Sequence, residues 1–419
     1  MKSIFSNIPK NWTVKNIPEV FFFQEGPGVR KWQFRDKGIK LLNGSNINNG
    51  ILDLSNTKIH LDESEANGKY KHFLVNEGDL IIASSGVVVD NFHNKIAFVR
   101  KENLPLCMNT STIRFQVLND KLASLEFLKF FLKTIFFKIQ IGKLITGSAQ
   151  LNFGPSHLQK IQIPLPPLED QIRIAAVLTR AEKLIAKRKE SIKALDEFLK
   201  STFLEMFGDP VRMCQQPKTK LNKFIVFLTS GSRGWAQYYS EKGELFIRIN
   251  NVRNANLKLD DLIFVTPPNN AEAIRTKVKT NDLLFSITAD LGRTAVVSKN
   301  LDGAFINQHL ALIRLAQDRI HPMFVAWFFA MPYGKSIVMK KNREGVKAGL
   351  SFDDIRGFEI VTPPLPLQTQ FASIVEKVES LKSRYAQSLT ELENLYGSLS
   401  QRAFKGELDL SGIQKEGIK

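Results

Sequence analysis

Cysteine is nearly absent: Cys107 and Cys214 are the only two in 419 residues, far apart and in no CxxC pair. That excludes a disulfide framework and a thiolate zinc site, and it suits a reducing cytoplasm. Histidine is scarce as well. Its six residues form neither an HExxH motif nor a cluster with cysteine, so zinc catalysis has no ligand set. No GxxxxGK[ST] loop occurs, which leaves ATP without a phosphate cradle. Long apolar runs are missing too. The nearest, Leu125 to Ile141, is broken by Lys129, Lys133 and Lys138, so no segment reads as a bilayer span. The start, Met1-Lys2-Ser3-Ile4-Phe5, lacks the apolar region of a signal peptide. The expectation is a soluble cytoplasmic protein with no membrane partner.

Negative charge is in short supply. Asp and Glu number 41 against 58 Lys and Arg, a formal net charge of +17. The excess is unevenly placed: residues 1–160 carry 21 basic against 13 acidic groups, and residues 208–360 carry 22 against 14. Residues 161–207 are close to neutral at 8 against 7, and residues 361–419 balance at 7 against 7. Two equally basic blocks alternating with two neutral segments suit a polyanion contacted in two places. A generally basic solvated surface is the plainer alternative.

The chain repeats itself. Leu151-Asn152-Phe153, a proline knot at Pro164-Leu165-Pro166-Pro167-Leu168 and a long periodic run lead to Phe207-Gly208-Asp209-Pro210. Some 200 residues later Leu350-Ser351-Phe352, the knot Pro363-Pro364-Leu365-Pro366-Leu367 and a second run lead to Phe404-Lys405-Gly406. Ahead of each run lies a block of short strands. Gly38 matches Gly243 and Asn46 matches Asn251; Asp282-Leu283-Leu284-Phe285 answers Asp79-Leu80-Ile81-Ile82. Likewise Ala311-Leu312-Ile313-Arg314-Leu315 answers Thr112-Ile113-Arg114-Phe115, and helices are expected over Leu122 to Ile141 and Pro322 to Met339.

Both long runs carry heptads. Leu178, Ile185, Ile192, Leu199 and Met206 fall seven apart, as do Phe371, Val378, Tyr385, Leu392 and Leu399, with Leu395 on a companion position. Arg188 and Ser388 interrupt the seams near their middles. Pro166-Pro167 and Pro364 explain the helix starts, and Gly208 and Gly406 the stops. At about 38 residues each, such helices run about 57 Å. Covering both seams is simplest if they pair. The predicted fold class is therefore α+β: two mixed α/β domains separated by two long antiparallel coiled-coil helices, with an internal pseudo-twofold repeat. The expected boundaries are 1–160 and 209–360 for the domains, 161–208 and 361–408 for the helices, and 409–419 for a tail.

Read with their order, these motifs resemble the DNA-specificity subunit of type I restriction-modification systems. Gln150-Leu151-Asn152-Phe153, Ile163 to Ile172 and Met206 to Pro210 carry the likeness. Gly349 to Phe352, Pro363 to Gln370, Phe404 to Leu408 and Asn307-Gln308-His309-Leu310-Ala311-Leu312-Ile313-Arg314 form a weaker second copy. Where this family often has a Gly-x-x-Gly-Lys turn, the chain has Asp290-Leu291-Gly292-Arg293, and in the first half Ser85-Gly86-Val87-Val88 with Lys95 further on. The resemblance implies a non-catalytic reader. Each block would be a target-recognition domain for half of a split site in double-stranded DNA. The helices would set the spacing and hold two methyltransferase subunits, joined by restriction/translocase subunits. S-adenosylmethionine, ATP and Mg would belong to those partners, with no cofactor in this chain.

For such a reader, base contacts specify and phosphate contacts position. The recognition candidates in the first half are Arg30, Lys31 and Gln33 after the Gly26-Pro27-Gly28 turn, and Asn43, Ser45 and Asn46 at a strand end. Their counterparts are Ser232, Arg233 and Trp235, then Arg248, Asn250 and Asn251, with Arg293 at the variant turn. The same Asn and Ser residues also suit turn stabilisation. Lys95, Lys143, Lys340, Lys341 and Arg343 are phosphate candidates, and His309 reads as structural. Two other functions fit less well. A coiled-coil scaffold that binds nucleic acid without sequence preference needs no motif at all. A metal-dependent nuclease would have to use Asp53, Glu77, Asp79, Asp282 or Asp290, yet the expected acid-x-Lys pairing is missing. Thr266-Pro267-Pro268-Asn269 lacks both the leading acid or amide and the aromatic of an amino-methyltransferase motif.

Overall fold

The computed structural model describes Phe5 and residues 8–145, 150–341 and 349–413. It divides into two compact units, residues 1–188 with 388–419, and residues 189–387. Two long helices belong to both: a central helix, Leu168–Phe207, and a distal helix, Leu365–Lys405. The unit boundary crosses them at Arg188/Lys189 and Gln387/Ser388, where the two polar seam residues lie.

In the first unit the leading strands are β1 (Thr13–Asn16), β2 (Phe21–Glu25), β3 (Ile39–Leu42) and β4 (His60–Leu61). They are followed by helix α1 (Glu63–Asn67), β5 (Leu80–Ala83), β6 (Ile96–Phe98), β7 (Leu106–Met108) and β8 (Thr112–Val117). Helices α2 (Leu125–Lys133) and α3 (Ile135–Leu144) and strand β9 (Gln162–Leu165) complete it. An antiparallel sheet runs β2-β8-β5-β6, and a second runs β7-β3-β4 with β7 parallel to β3. β1 pairs antiparallel with β9, bringing Thr13 to Leu165 at the foot of the central helix. Cys107, on β7, is buried, and burial pushes its thiol up to about 12, so it packs as a small apolar group.

The second unit is built the same way. Its strands are β10 (Lys218–Lys220), β11 (Ile225–Ser230), β12 (Glu244–Ile247) and β13 (Ile263–Val265). Helix α4 (Ala271–Thr276) leads to β14 (Leu283–Ser286), β15 (Thr294–Val296), β16 (Phe305–Ile306) and β17 (Leu310–Leu315). Helices α5 (Pro322–Ala330) and α6 (Pro332–Lys340) and strand β18 (Glu359–Val361) follow. The sheet β11-β17-β14-β15 repeats the first unit's order, β16 lies parallel to β12, and β10 pairs with β18 before the distal helix.

The ladders correct one detail of the repeat. Leu80 faces Phe115 in one unit and Leu283 faces Ile313 in the other, so Ile313 answers Phe115 and Arg314 answers Gln116, not Arg114. A two-residue slip keeps every side chain on its own face of a strand, so hydrophobic pattern alone does not detect it. The buried carboxylates behind these strands do the same work in both units. Asp79 caps the Asn76 N–H at 2.8 Å and takes Gln116 Nε2 at 2.6 Å; Asp282 caps the Lys279 N–H at 2.7 Å and takes Arg314 Nε at 2.8 Å and Nη2 at 2.7 Å.

The helices start directly after their prolines and end on left-handed glycines, Gly208 at φ 100° and Gly406 at φ 73°. Within each unit they pair antiparallel. Tyr396 donates to Glu182 at 3.1 Å in the first, and Lys382 meets Asp196 at 2.6 Å in the second. Of the heptad residues, Leu178, Leu199, Phe371 and Val378 are buried, while Ile185, Ile192, Met206, Tyr385, Leu392 and Leu399 are half-buried. Leu395 departs from its expected place and is exposed. Phe203, off the heptad, is instead fully buried, stacked on Phe324 at 5.9 Å and edge-on to Phe371 at 5.3 Å. The helix ends therefore pack into the units' cores, and a two-helix seam covers only their middles.

A buried amide joins each long helix to its unit. Gln171, fully buried, donates to Leu122 O and Pro166 O at 2.9 Å each and accepts the Ser124 N–H at 3.0 Å, just where α2 begins. Gln368 repeats this, donating to Pro363 O at 2.7 Å and accepting the His321 N–H at 2.9 Å ahead of α5. Gln171→Leu keeps the volume but strands those groups, at an expected cost of about 1–3 kcal/mol. Urea denaturation should show a lowered midpoint for the first unit; an unchanged midpoint would deny the amide this role.

Candidate nucleic-acid interface

Each unit gathers its candidate residues at matching loops, and the first question is which side chains the fold has already used. In the first unit Gly26 lies so close to Asn109 that a Cβ would sit 2.3 Å from its carbonyl oxygen. The turn that follows is held from inside by Gln33, which is 2% exposed. Its Nε2 donates to Tyr70 Oη at 3.1 Å and Glu65 at 3.3 Å, and its Oε1 accepts the Arg30 N–H at 3.1 Å. Gln33 is thus a bracket with no donor left for a base. Arg30 and Lys31 point outward with Trp32, which is 72% exposed.

Asn46 is also engaged internally. Its Oδ1 accepts the Asn43 N–H at 2.9 Å, and its Nδ2 donates to Asp53 O at 3.2 Å and Thr57 Oγ1 at 2.9 Å. Asn43 Oδ1 takes Asn109 Nδ2 at 2.9 Å, leaving Ser45 as the exposed member of the trio. Lys95 reaches the same turn, donating to Asn48 Oδ1 at 2.9 Å, and burial lowers its pKa. Asn43, Asn46, Lys95 and Asn109 therefore meet, whereas Arg30 and Lys31 lie on the Tyr70 side.

The second unit repeats the brackets with different residues. Gly231 packs against Asn307, with a Cβ 2.2 Å from its carbonyl oxygen. Ser232 is buried against Thr276 at 3.0 Å, and Trp235 is buried on Phe246 with its indole N–H on Glu272 at 3.1 Å. Neither reaches solvent, which corrects the expectation that they read bases. Asn251, 1% exposed, is the counterpart of Asn46: its Oδ1 accepts the Arg248 N–H at 2.8 Å and its Nδ2 donates to Lys258 O at 3.1 Å and Asp261 O at 2.9 Å. Arg248 is half-buried and pairs with Asp261 at 2.8 Å.

What stays outward is a shorter set. Arg233 is exposed, its Nε donating to Gln308 Oε1 at 2.7 Å, and Asn250 is exposed beside its buried neighbour. The Asn307 N–H binds Ile247 O at 3.1 Å, so the Arg233, Asn250 and Gln308 loops form one edge. His309 accepts or donates at Thr288 Oγ1, 2.6 Å away, in keeping with a structural histidine. Arg293 holds the place of Lys95: its carbonyl accepts the Ser286 N–H at 2.8 Å, as that of Lys95 accepts the Ala83 N–H at 3.0 Å. Its guanidinium pairs with Asp290.

Lys143, Lys340 and Lys341 are exposed at helix ends, while Arg343 lies outside the described residues. Sequence reasoning passed over Trp32 and Arg253, which the fold leaves exposed on loops, and Lys335, exposed on α6. An exposed side chain on a loop, or on the outer face of a helix, has no hydrophobic periodicity to give it away. Among the described residues no helix is long and apolar enough to cross a membrane.

With this geometry in place, comparison with known proteins is informative. A family profile described as the type I restriction modification DNA specificity domain matches residues 9–194. The EcoKI specificity subunit of Escherichia coli K12 is 24% identical over 433 residues, covering 96% of this chain and 90% of that one. A chain solved in work on assembly and conformational transition of the type I restriction-modification system shares the fold at TM-score 0.59 and 19% identity, over 96% of this chain and 99% of that one. The type I S subunit from M. genitalium does so at TM-score 0.56 and 14% identity, over 96% and 98%. Residues 9–194 thus match the type I restriction modification DNA specificity domain, and over most of its length the chain is similar to DNA specificity subunits of type I restriction-modification systems and shares the fold of the two solved chains.

Proposed function

We propose that this chain confers sequence specificity on a type I restriction-modification complex, each recognition unit reading one half of a bipartite site in the major groove. The observation that carries this is the duplicated edge. Gln33 and Asn46 brace the loops of the first unit and Ser232, Trp235 and Asn251 those of the second, and Arg30, Lys31, Ser45, Arg233 and Asn250 stand exposed on the bracing. Arg30, Lys31, Ser45, Arg233, Asn250 and Arg293 are the proposed recognition contacts. Lys95, Lys143, Lys340, Lys341 and Arg343 would meet phosphates.

The chain itself would be non-catalytic and cytoplasmic. Two methyltransferase subunits, holding S-adenosylmethionine, would dock on the long helices, whose exposed Leu184, Phe198 and Leu395 are apolar surface that a docked helix would cover. Restriction/translocase subunits would bring ATP and Mg. The helices, 40 and 41 residues long, would set the gap between half-sites. Five segments describe the chain on this reading: recognition domains at 1–160 and 209–360, spacers at 161–208 and 361–408, and a tail at 409–419.

Mapping methylated bases in the host genome should reveal a two-part site that vanishes when the gene is deleted; a methylation map that does not change sinks the proposal. Arg233→Ala should impair recognition of one half only, by roughly the 1–3 kcal/mol of a lost base contact. Equal weakening on every sequence would make Arg233 a phosphate contact instead. Inserting seven residues after Leu195 and seven after Ser383, which lie at one level of the helix pair, keeps the heptad phase. The gap should grow by about 10 Å, or about three base pairs, with both half-sites unchanged. Altered half-sites with an unaltered gap would refute the spacer role.

A further inference from the structure

The second unit holds a cleft of about 460 Å³ whose lining includes Arg253, Asn254, Asp290, Gly292, Arg293 and Lys335. Three cations face one carboxylate there, and that carboxylate is already paired with Arg293. Among the described residues neither Arg253 nor Lys335 forms a salt bridge; Arg253 has only a through-space influence on Asp260, which Lys258 holds at 2.9 Å. An open cleft with uncommitted cations on two sides is a place for an anion.

The cleft is rigid. Ser286 Oγ accepts the Arg293 N–H at 2.8 Å, and the Gly292 N–H reaches Ser286 O at 3.1 Å. Gly292, left-handed at φ 80°, packs on α6, where a Cβ would lie 3.0 Å from Val338. An isolated parallel bridge between Asn254 and Thr294 ties the opposite loop to this one. Both loops also carry a left-handed alanine next to a lining residue, Ala255 beside Asn254 and Ala289 beside Asp290, each at φ 58°. Alanine adopts that conformation at a cost, and such outliers persist where the surroundings hold them and gather at functional sites.

Among the described residues the first unit is built differently at this place. Where the second has Asp290 to Arg293, the first has Val87 and Val88, which pair with Leu151 and Gln150 as a two-stranded ladder. Repeated bracing is thus common to both units, while the Asp290 to Arg293 turn that lines the cleft is particular to the second.

We infer that this cleft seats phosphodiesters of one DNA strand, with Arg253 and Lys335 as phosphate contacts on its two sides and Arg293, oriented by Asp290, between them. The inference rests on the DNA-reading role proposed above and adds a site to it. A backbone clamp beside the Arg233 edge fixes the register in which that edge meets the groove.

The test is the salt dependence of binding by the full chain, to a duplex carrying the methylation-mapped target and to a random duplex of equal length. R253A/K335A should weaken both by the same factor and reduce the slope of log K against log salt by about 1.8, since each phosphate contact contributes about 0.9. R253K/K335R, which keeps both charges, should retain the wild-type slope. An unchanged slope in R253A/K335A, or a loss confined to the target duplex, overturns the inference. Wild-type protein that binds both duplexes equally tightly would instead refute the specificity reading, and the slope would still decide the cleft. Wild-type protein that binds neither duplex overturns both.

Discussion

Burying a primary amide at the foot of a long helix is the constraint on which this architecture depends. Gln171 and Gln368 are both essentially inaccessible, and each satisfies backbone groups from the proline knot and from the start of the next packed helix. An unpaired buried donor or acceptor costs about 1–3 kcal/mol. Any tilt of the long helix away from its unit would therefore strand several such groups at once. The short ladders β1-β9 and β10-β18 enter the helices from the same points. Proline knot, glutamine and two-stranded foot thus act as one joint, built twice.

The joint allows the helices to be neutral and the loops basic. Packing at the helix ends is aromatic, with Phe404 against Phe127 at 4.9 Å in the first unit and Phe207 against Phe371 at 5.5 Å in the second. Between the ends, polar ties join helix and module: Lys133 to Glu182 at 2.7 Å, and Asn256 to Glu379 at 3.1 Å. The first uses no loop-edge residue, and the second holds the Arg253 loop to the distal helix through Asn256 while the Arg253 side chain stays exposed.

The architecture was legible in the sequence wherever hydrophobic periodicity carried it. The matched glycines prove to be positions where no Cβ fits: Gly38 approaches Leu61 O at 2.3 Å and Gly243 approaches Val265 O at 2.5 Å, measured to an ideal Cβ. Asn46 and Asn251 proved to be matched brackets. Their roles were not legible, because an amide that caps a turn and one that reads adenine are the same residue in the same kind of loop. Gln33, Ser232 and Trp235 were misjudged for a related reason. A polar or aromatic residue beside Arg in a Gly-rich loop looks exposed until its partners, Tyr70, Thr276 and Glu272, arrive from distant sequence. Phe203 escaped the heptad because the α5 helix, which no seam period describes, supplies part of its pocket.

By itself, the sequence determined the duplication, the α+β class, the two long helices with their proline starts and glycine stops, and the placing of positive charge in the repeated blocks. These follow from local steric rules and from the periods of helix and strand, which need no distant partner. Only the tertiary structure decided which loop side chains are spent on bracing and which remain outward. It alone set the register of Arg314 against Gln116 and brought Arg253, Arg293 and Lys335 to one cleft. The reason is physical: a hydrogen bond or a charge has its meaning from what stands within about 3 Å of it, and that neighbour is usually far away along the chain.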